Sequence, residues 1–331
     1  MIGRIFKNPF FLTGFLFIIV LLSTSLLFPS FIKPHLTAPP SLLYENGNLV
    51  DKPPYPPSTT YWFGVDRFGD DIFWKVIEGA KYTIFIALLV GVMRIILGFC
   101  GGLVYGFHHQ RLKWIVEPFT RAFRFVPAVI IVIIYFIGGQ ENPGLWLIIK
   151  QCFILALIAL LPLTSVIGEE IHYYLKNEFI DASRLLGGSK WWLAKKHISQ
   201  FFRPKIFILL LQQVSQSLLL LVHLGVLNMF IGGVKMVNMG GLDGAKNVVS
   251  SLSNEWSGLI GLSYPELRFD HWIVIGPGIG FFLTLLSFNL MLRGIKKVLD
   301  ERPVYAPQPL EITEQQPKTN TFKLANQSVQ S

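Results

Sequence analysis

The chain has 331 residues, 52% of them hydrophobic and only 15% charged, with a mean hydropathy of +0.50. Soluble domains carry about a quarter charged residues, so this composition excludes an ordinary soluble domain and assigns much of the chain to lipid. The formal net charge of +9 points to an anionic membrane surface. No basic patch interleaved with exposed aromatics supports a nucleic-acid partner.

A helix crosses a bilayer with about 20 mostly apolar residues. The first such stretch, Phe10–Phe31, follows Arg4 and Lys7 and outruns the apolar core of a signal peptide. No small-x-small cleavage site follows it, so residues 1–32 read as an uncleaved N-terminal transmembrane helix. Residues 33–78 are Pro-rich without sustained periodicity and read as an extended exterior loop. Further spans are expected at Tyr82–Phe107, Phe119–Ile137, Leu145–Ile167, Ile206–Ile231 and Trp272–Leu292, making six. Residues 168–205 form a charged loop and 233–270 a second exterior loop, rich in Gly and Asn. Residues 303–331 are rich in Pro, Gln, Thr and Asn, the composition of a disordered cytoplasmic tail. The expected fold is all-α and polytopic.

Lys and Arg fix the orientation. With the N-terminus inside, nineteen of the 29 fall in the N-terminus, residues 107–124, residues 168–205 and the tail. Eight fall outside, and Arg94 and Lys150 lie within spans. Both termini and the 168–205 loop are therefore expected in the cytoplasm of a multi-pass plasma-membrane protein. Within the second span, Gly98, Gly102 and Gly106 repeat at four-residue spacing, which lets two helix backbones approach closely. Arg94 lies near the centre of that span, where a charge must face protein or water. It reads either as a cation lining a pathway or as a donor to carbonyls or a neighbouring acid. Cys100 and Cys152 fall in apolar runs and are expected as buried, reduced thiols.

Glu169 to Leu186 carries Ile171, Leu175, Ala182 and Leu185 at helical spacing. Gly187 and Gly188 stop that helix, and Ser189 can cap a second one running to about Ser199. The pattern is a helix–turn–helix pair with one apolar face. It fits either a docking element or a solvated loop.

The residues of this pair resemble a known family. "DASRLLGGSKWWLAKKHIS" is similar to the cytoplasmic EAA loop of binding-protein-dependent ABC importer permeases, with Asp181, Ala182 and Ser183 on the E-A-A positions and Gly187 on the glycine. "FGVDRFGDDIFWKVIEGAKYT" and "PGIGFFLTLLSFNLMLRGIKKVLDER" resemble the opening and closing stretches of the dipeptide, oligopeptide and nickel group, C-type subunit. "EWSGLI" stands where a Ser-Trp-Gly signature is usual. The chain departs from the pattern at Asp181 for Glu, Ser183 for Ala, Asp70 for Arg, Gln200 for a helix-ending Pro and Met291–Arg293 for Leu-Gly-Asp. Pro204 is expected to restore the helix break.

The resemblance implies a type I ABC importer permease fold with its core at 79–302. It also implies that Asp181, Ala182, Ser183 and Gly187 form a coupling helix seated on a separate ATPase. Asp181 would there accept a bond from a basic partner group. The implied partners are a second permease subunit forming a heterodimer, two cytoplasmic ATPase domains and an extracytoplasmic solute-binding protein. The chain would bind no cofactor itself, ATP and Mg being used by the partner ATPase. "GGLDGAKN" lacks the spacing of a G-x-x-x-x-G-K-[ST] phosphate loop. The competing reading is an ion-coupled secondary transporter or channel acting without an ATPase. It would want intramembrane carboxylates, in which these spans are poor.

Overall fold

Asn8 starts the first long helix by accepting the Phe10 N–H on its side chain at 3.0 Å, with Pro9 in the first helical position. In the computed structural model, which describes residues 2–40, 43–45, 48–137, 144–229, 231–232, 234–239, 246–251 and 253–300, a short helix α1 (Ile2–Lys7) precedes this α2 (Pro9–Leu27). One turn of π-helix extends α2 to Ile32. Two short strands, β1 (Leu43–Glu45) and β2 (Asn48–Asp51), then pair antiparallel.

The second span begins ten residues earlier than its apolar run suggests. Asp71 caps it by accepting the Phe73 N–H at 2.9 Å, and α3 runs unbroken from Ile72 to Phe107. Lys75, Glu78 and Lys81 interrupt its first turns and lower the hydropathy of any window placed there.

The third and fourth expected spans are each broken. α4 (His109–Phe125) and α5 (Ala128–Ile137) meet at 87°, with Val126 and Pro127 between them. The residue before a proline is pushed out of the helical region, and Val126 sits at ψ 114°. The expected span Phe119–Ile137 is therefore corrected to the end of one helix and the whole of another. α6 (Leu145–Ile158) and α7 (Leu160–Tyr174) meet at 51°, where Pro162 withholds an N–H from the Ile158 carbonyl.

α8 (Glu178–Leu185) and α9 (Lys190–Leu193) form the charged hairpin. α9 passes through one π turn directly into α10 (Ser199–Val226). The expected break at Pro204 does not occur: Lys190–Val226 is one helical run of 37 residues. A single missing N–H is tolerated in a helix whose flanks are packed.

The expected exterior loop at 233–270 holds a hairpin, β3 (Val234–Met239) with β4 (Lys246–Ser251), and a helix α11 (Trp256–Ser263). α12 (Trp272–Asp300) closes the described chain. The two hairpins make the protein mostly rather than wholly helical. The 303–331 tail and residues 138–143 lie outside the described residues.

Among the described residues four helical stretches are each long and apolar enough to cross a membrane, and up to six spans result if each bent pair counts as one. α3 is central and packs on α7, α10, α6 and α2. Its glycines explain how. A Cβ on Gly98, Gly102 or Gly106 would come within 2.5 Å of Leu163, Ile167 or Ile171 on α7. α2 is pinned to α3 by buried Ser25, whose hydroxyl donates to Glu78 O at 3.2 Å and accepts the Lys81 N–H at 3.1 Å. Both cysteines are free thiols. Cys152 is buried, but Cys100 is exposed on the outer face of α3, so its expected burial in protein is corrected.

Candidate coupling hairpin and intramembrane cavity

The hairpin is built on a buried base. Ile180, Leu193, Ile198 and Phe202 are essentially solvent-free and join Ile95, Leu163, Ile167, Ile171 and Leu175 in one cluster. Burying each such side chain stabilises by about 1.5–3 kcal/mol relative to exposure, enough to make the hairpin a stiff extension of α3, α7 and α10.

Its tip carries a complete glycine-terminated helix end. Gly187 sits at φ +90°, its N–H donates to Arg184 O at 2.9 Å, and the Gly188 N–H donates to Ser183 O at 3.0 Å. That pair of bonds is the Schellman arrangement, which needs a left-handed residue after the cap. Ser189 then caps α9 by accepting the Trp192 N–H at 3.2 Å.

The apolar stripe drawn through Ile171, Leu175, Ala182 and Leu185 is not continuous. The backbone turns at Leu175–Asn177, so α8 starts with a new phase. Ile171 and Leu175 are buried, whereas Ala182 is exposed and Leu185 and Leu186 are 89% and 90% exposed. The buried residue of α8 is Ile180, which the stripe omits. The result is a hairpin with an apolar base and an apolar tip, where Trp191 is also exposed. Around that tip Asp181 pairs with Arg184 at 2.9 Å, and the Ser183 hydroxyl donates to Phe179 O at 2.8 Å. The Asp181 carboxylate lies open to solvent.

Arg94 is 4% exposed. Its Nε and Nη2 donate to Leu155 O at 3.2 and 3.0 Å. The carbonyl is available because α6 ends there: the Ala159 N–H turns to Ala156 O at 3.2 Å. A cation at a helix C-terminus also meets the favourable end of the helix dipole. Among the described residues no carboxylate pairs with Arg94. Its guanidinium borders a cavity of about 390 Å³ that also touches Val126, Pro127, Ala159, Pro162, Gln216 and His223. Both helix breaks thus open on the same hollow.

Glu255 escaped the sequence reading. It is fully buried at the start of α11 and accepts the Ser257 N–H and hydroxyl at 2.8 and 2.6 Å and the Gly258 N–H at 2.7 Å. Burial pushes its carboxyl up to about 7, against the pull of these donors and of the Ile231 N–H. The next residue, Trp256, locks α11 to α3: its indole N–H donates to Val76 O at 2.7 Å and its backbone N–H to Thr83 Oγ1 at 2.9 Å. Glu is not among the preferred N-cap residues, so no local signal singled out Glu255. Its burial was hidden because the flanking segment is polar.

The sequence pattern described as binding-protein-dependent transport system inner membrane component matches residues 95–304, more than half of the chain. The chain belongs to this family. It is a permease subunit of an ATP-driven import system and a multi-pass protein of the cytoplasmic membrane. It is 23% identical over 304 residues to the dipeptide transport system permease protein DppC of Bacillus subtilis, covering 90% of this chain and 84% of the relative. The peptide transport system permease protein SapC of Haemophilus influenzae is 25% identical over 305 residues, 90% of this chain and 92% of the relative. The oligopeptide transport system permease protein OppC of Bacillus subtilis is 23% identical over 301 residues, 90% and 88% of the two chains.

Proposed function

We propose that this chain forms half of the membrane pore of a peptide importer, pairing with a second, different permease. Two cytoplasmic ATPase domains, which use ATP and Mg, and an exterior solute-binding protein complete the assembly. Peptide as cargo is supported by the relatives, each a permease of a dipeptide, oligopeptide or peptide transport system. The chain crosses the membrane six times with both termini in the cytoplasm, the bent α6–α7 pair serving as one span. Residues 1–32 are the N-terminal helix, 33–78 and 233–270 face outward, 79–302 form the permease core and 303–331 a cytoplasmic tail. Gly98, Gly102 and Gly106 set the α3–α7 packing, and Arg94 lines the solute pathway.

The hairpin at 168–205 is the coupling element, with Asp181, Ala182, Ser183 and Gly187 against the ATPase. One observation carries this: the tip holds Leu185, Leu186 and Trp191 in solvent while the base is locked into the helix bundle. An exposed apolar cluster on a stiff mount is a docking surface. Gly187→Val forces a β-branched residue into the left-handed region, and Asp181→Lys sets a cation beside Arg184. Both variants should insert in the membrane normally yet lose co-elution with the ATPase and peptide-stimulated ATP hydrolysis. Undiminished assembly and stimulation in both would refute the coupling role.

A further inference from the structure

A second polar hollow, of about 420 Å³, lies between the hairpin and the α3–α4 turn. His108, His109 and Arg111 line it from that turn, His172 from the last turn of α7, Lys176 from the turn that follows it, and Arg184 and Lys190 from the hairpin. No carboxylate is among its lining residues.

The contacts inside it define its chemistry. Lys190 Nζ lies 3.0 Å from His108 Nε2, and an ammonium can only donate. His108 Nδ1 lies 3.1 Å from Val104 O, so both ring nitrogens of His108 are engaged within the protein. The His109 and His172 rings stack at 4.0 Å. Arg184 is engaged by Asp181, but Arg111 and Lys176 are exposed and make no ion pair among the described residues. The stacked His109 and His172, the unpaired Arg111 and Lys176, and the remaining N–H groups of Lys190 suit a phosphate group, which accepts several hydrogen bonds and carries negative charge.

The setting says where that phosphate comes from. α4 is amphipathic: Trp114, Ile115, Phe119 and Phe125 are exposed along one arc, beside the Lys113–Glu117–Arg121 ion ladder. Because α4 turns 87° from α5, it does not continue the direction of that apolar segment. A helix of this composition lies in the membrane interface with its apolar arc in the acyl boundary. Its first turn, which lines the hollow, then stands at headgroup level. Basic hollows between helices on the cytoplasmic side are suited to anionic headgroups.

We infer that this hollow holds the phosphate of an anionic phospholipid, which braces the hairpin against the α3–α4 turn. On the coupling role proposed above, the lipid ties Lys190 on the second arm of the hairpin to Lys176 at its entry and to Arg111 on α4, and so holds the hairpin against the membrane body.

The test uses the purified full chain in an uncharged detergent. Phosphatidylglycerol, phosphatidylcholine and inorganic phosphate are titrated separately. Unfolding is followed by tryptophan fluorescence and bound lipid by native mass spectrometry. Phosphatidylglycerol should raise the melting temperature and remain as one bound lipid, whereas phosphatidylcholine should do neither. The double variant Arg111→Gln/Lys176→Gln should weaken phosphatidylglycerol binding by about tenfold or more, since each cation near an anionic surface contributes on the order of 1 kcal/mol. Its melting temperature in phosphatidylcholine should equal that of wild type. Lys296→Gln/Lys297→Gln, at the end of α12, should keep the full response. Equal retention of both lipids, undiminished retention by the Arg111/Lys176 variant, or no retention of either lipid overturns the inference. A response to inorganic phosphate as large as that to phosphatidylglycerol assigns the hollow to a soluble anion and overturns the lipid.

Discussion

An arginine placed in the middle of a span costs about 2.5–3.5 kcal/mol on insertion scales. Arg94 offsets that cost at a carbonyl which the broken α6 leaves without its usual partner. The donor and the break therefore explain each other. Arg94→Met should lower stability by about 1–3 kcal/mol, the cost of an unsatisfied buried acceptor, read as a lower melting temperature in detergent. Unchanged melting would show that the Leu155 carbonyl finds another donor. Glu255 gives a second expectation at this scale. Its folded-state pKa is raised above the ordinary 4.5 to about 7, so the folded chain binds the proton more tightly than the unfolded one. Its contribution is fully present below about 4.5 and is lost as pH rises through about 7. Melting temperature should fall across that window, and Glu255→Gln should remove that part of the slope.

Close approach decides the packing of the elements. Gly102 faces Ile167 so tightly that a Cβ would lie 2.5 Å from it. Gly102→Leu should destabilise by about 1–3 kcal/mol or more through overpacking, and a melting curve will report it. Gly69 offers the contrast, because it has open space around it but sits at φ +80°. Gly69→Ala should therefore show only the smaller cost of a strained backbone. The hairpin tip was legible because Gly187 and Ser189 are local signals whose chemistry acts within a few residues. The face of α8 was not. A periodicity drawn from Ile171 to Leu185 assumes one helix, and the turn at Leu175–Asn177 resets the phase. The breaks at Val126–Pro127 and Ala159 were likewise invisible to hydropathy, which averages over a window and cannot see a change of axis.

The arrangement of the whole molecule follows from lipid as solvent. In a background lacking Cys100 and Cys152, a cysteine at Ser183 should react with a membrane-impermeant maleimide only after permeabilisation, and one at Thr37 without it. The opposite pattern would invert the proposed orientation.

Composition, the six apolar stretches, the Lys/Arg asymmetry and the hairpin's glycine stop were determined by the sequence, because each depends on a residue's own chemistry or that of near neighbours. The family could be read there too, since its motifs are local strings. Tertiary structure alone decided which stretches bend, which side of α8 is buried, and that Glu255 and Trp256 plunge into the bundle. It also decided that Arg94 caps α6 and that cations from three separate segments face one hollow. These outcomes depend on contacts between residues far apart in the chain, such as Arg94 with Leu155 or His108 with Lys190, and no spacing along one strand of sequence encodes them.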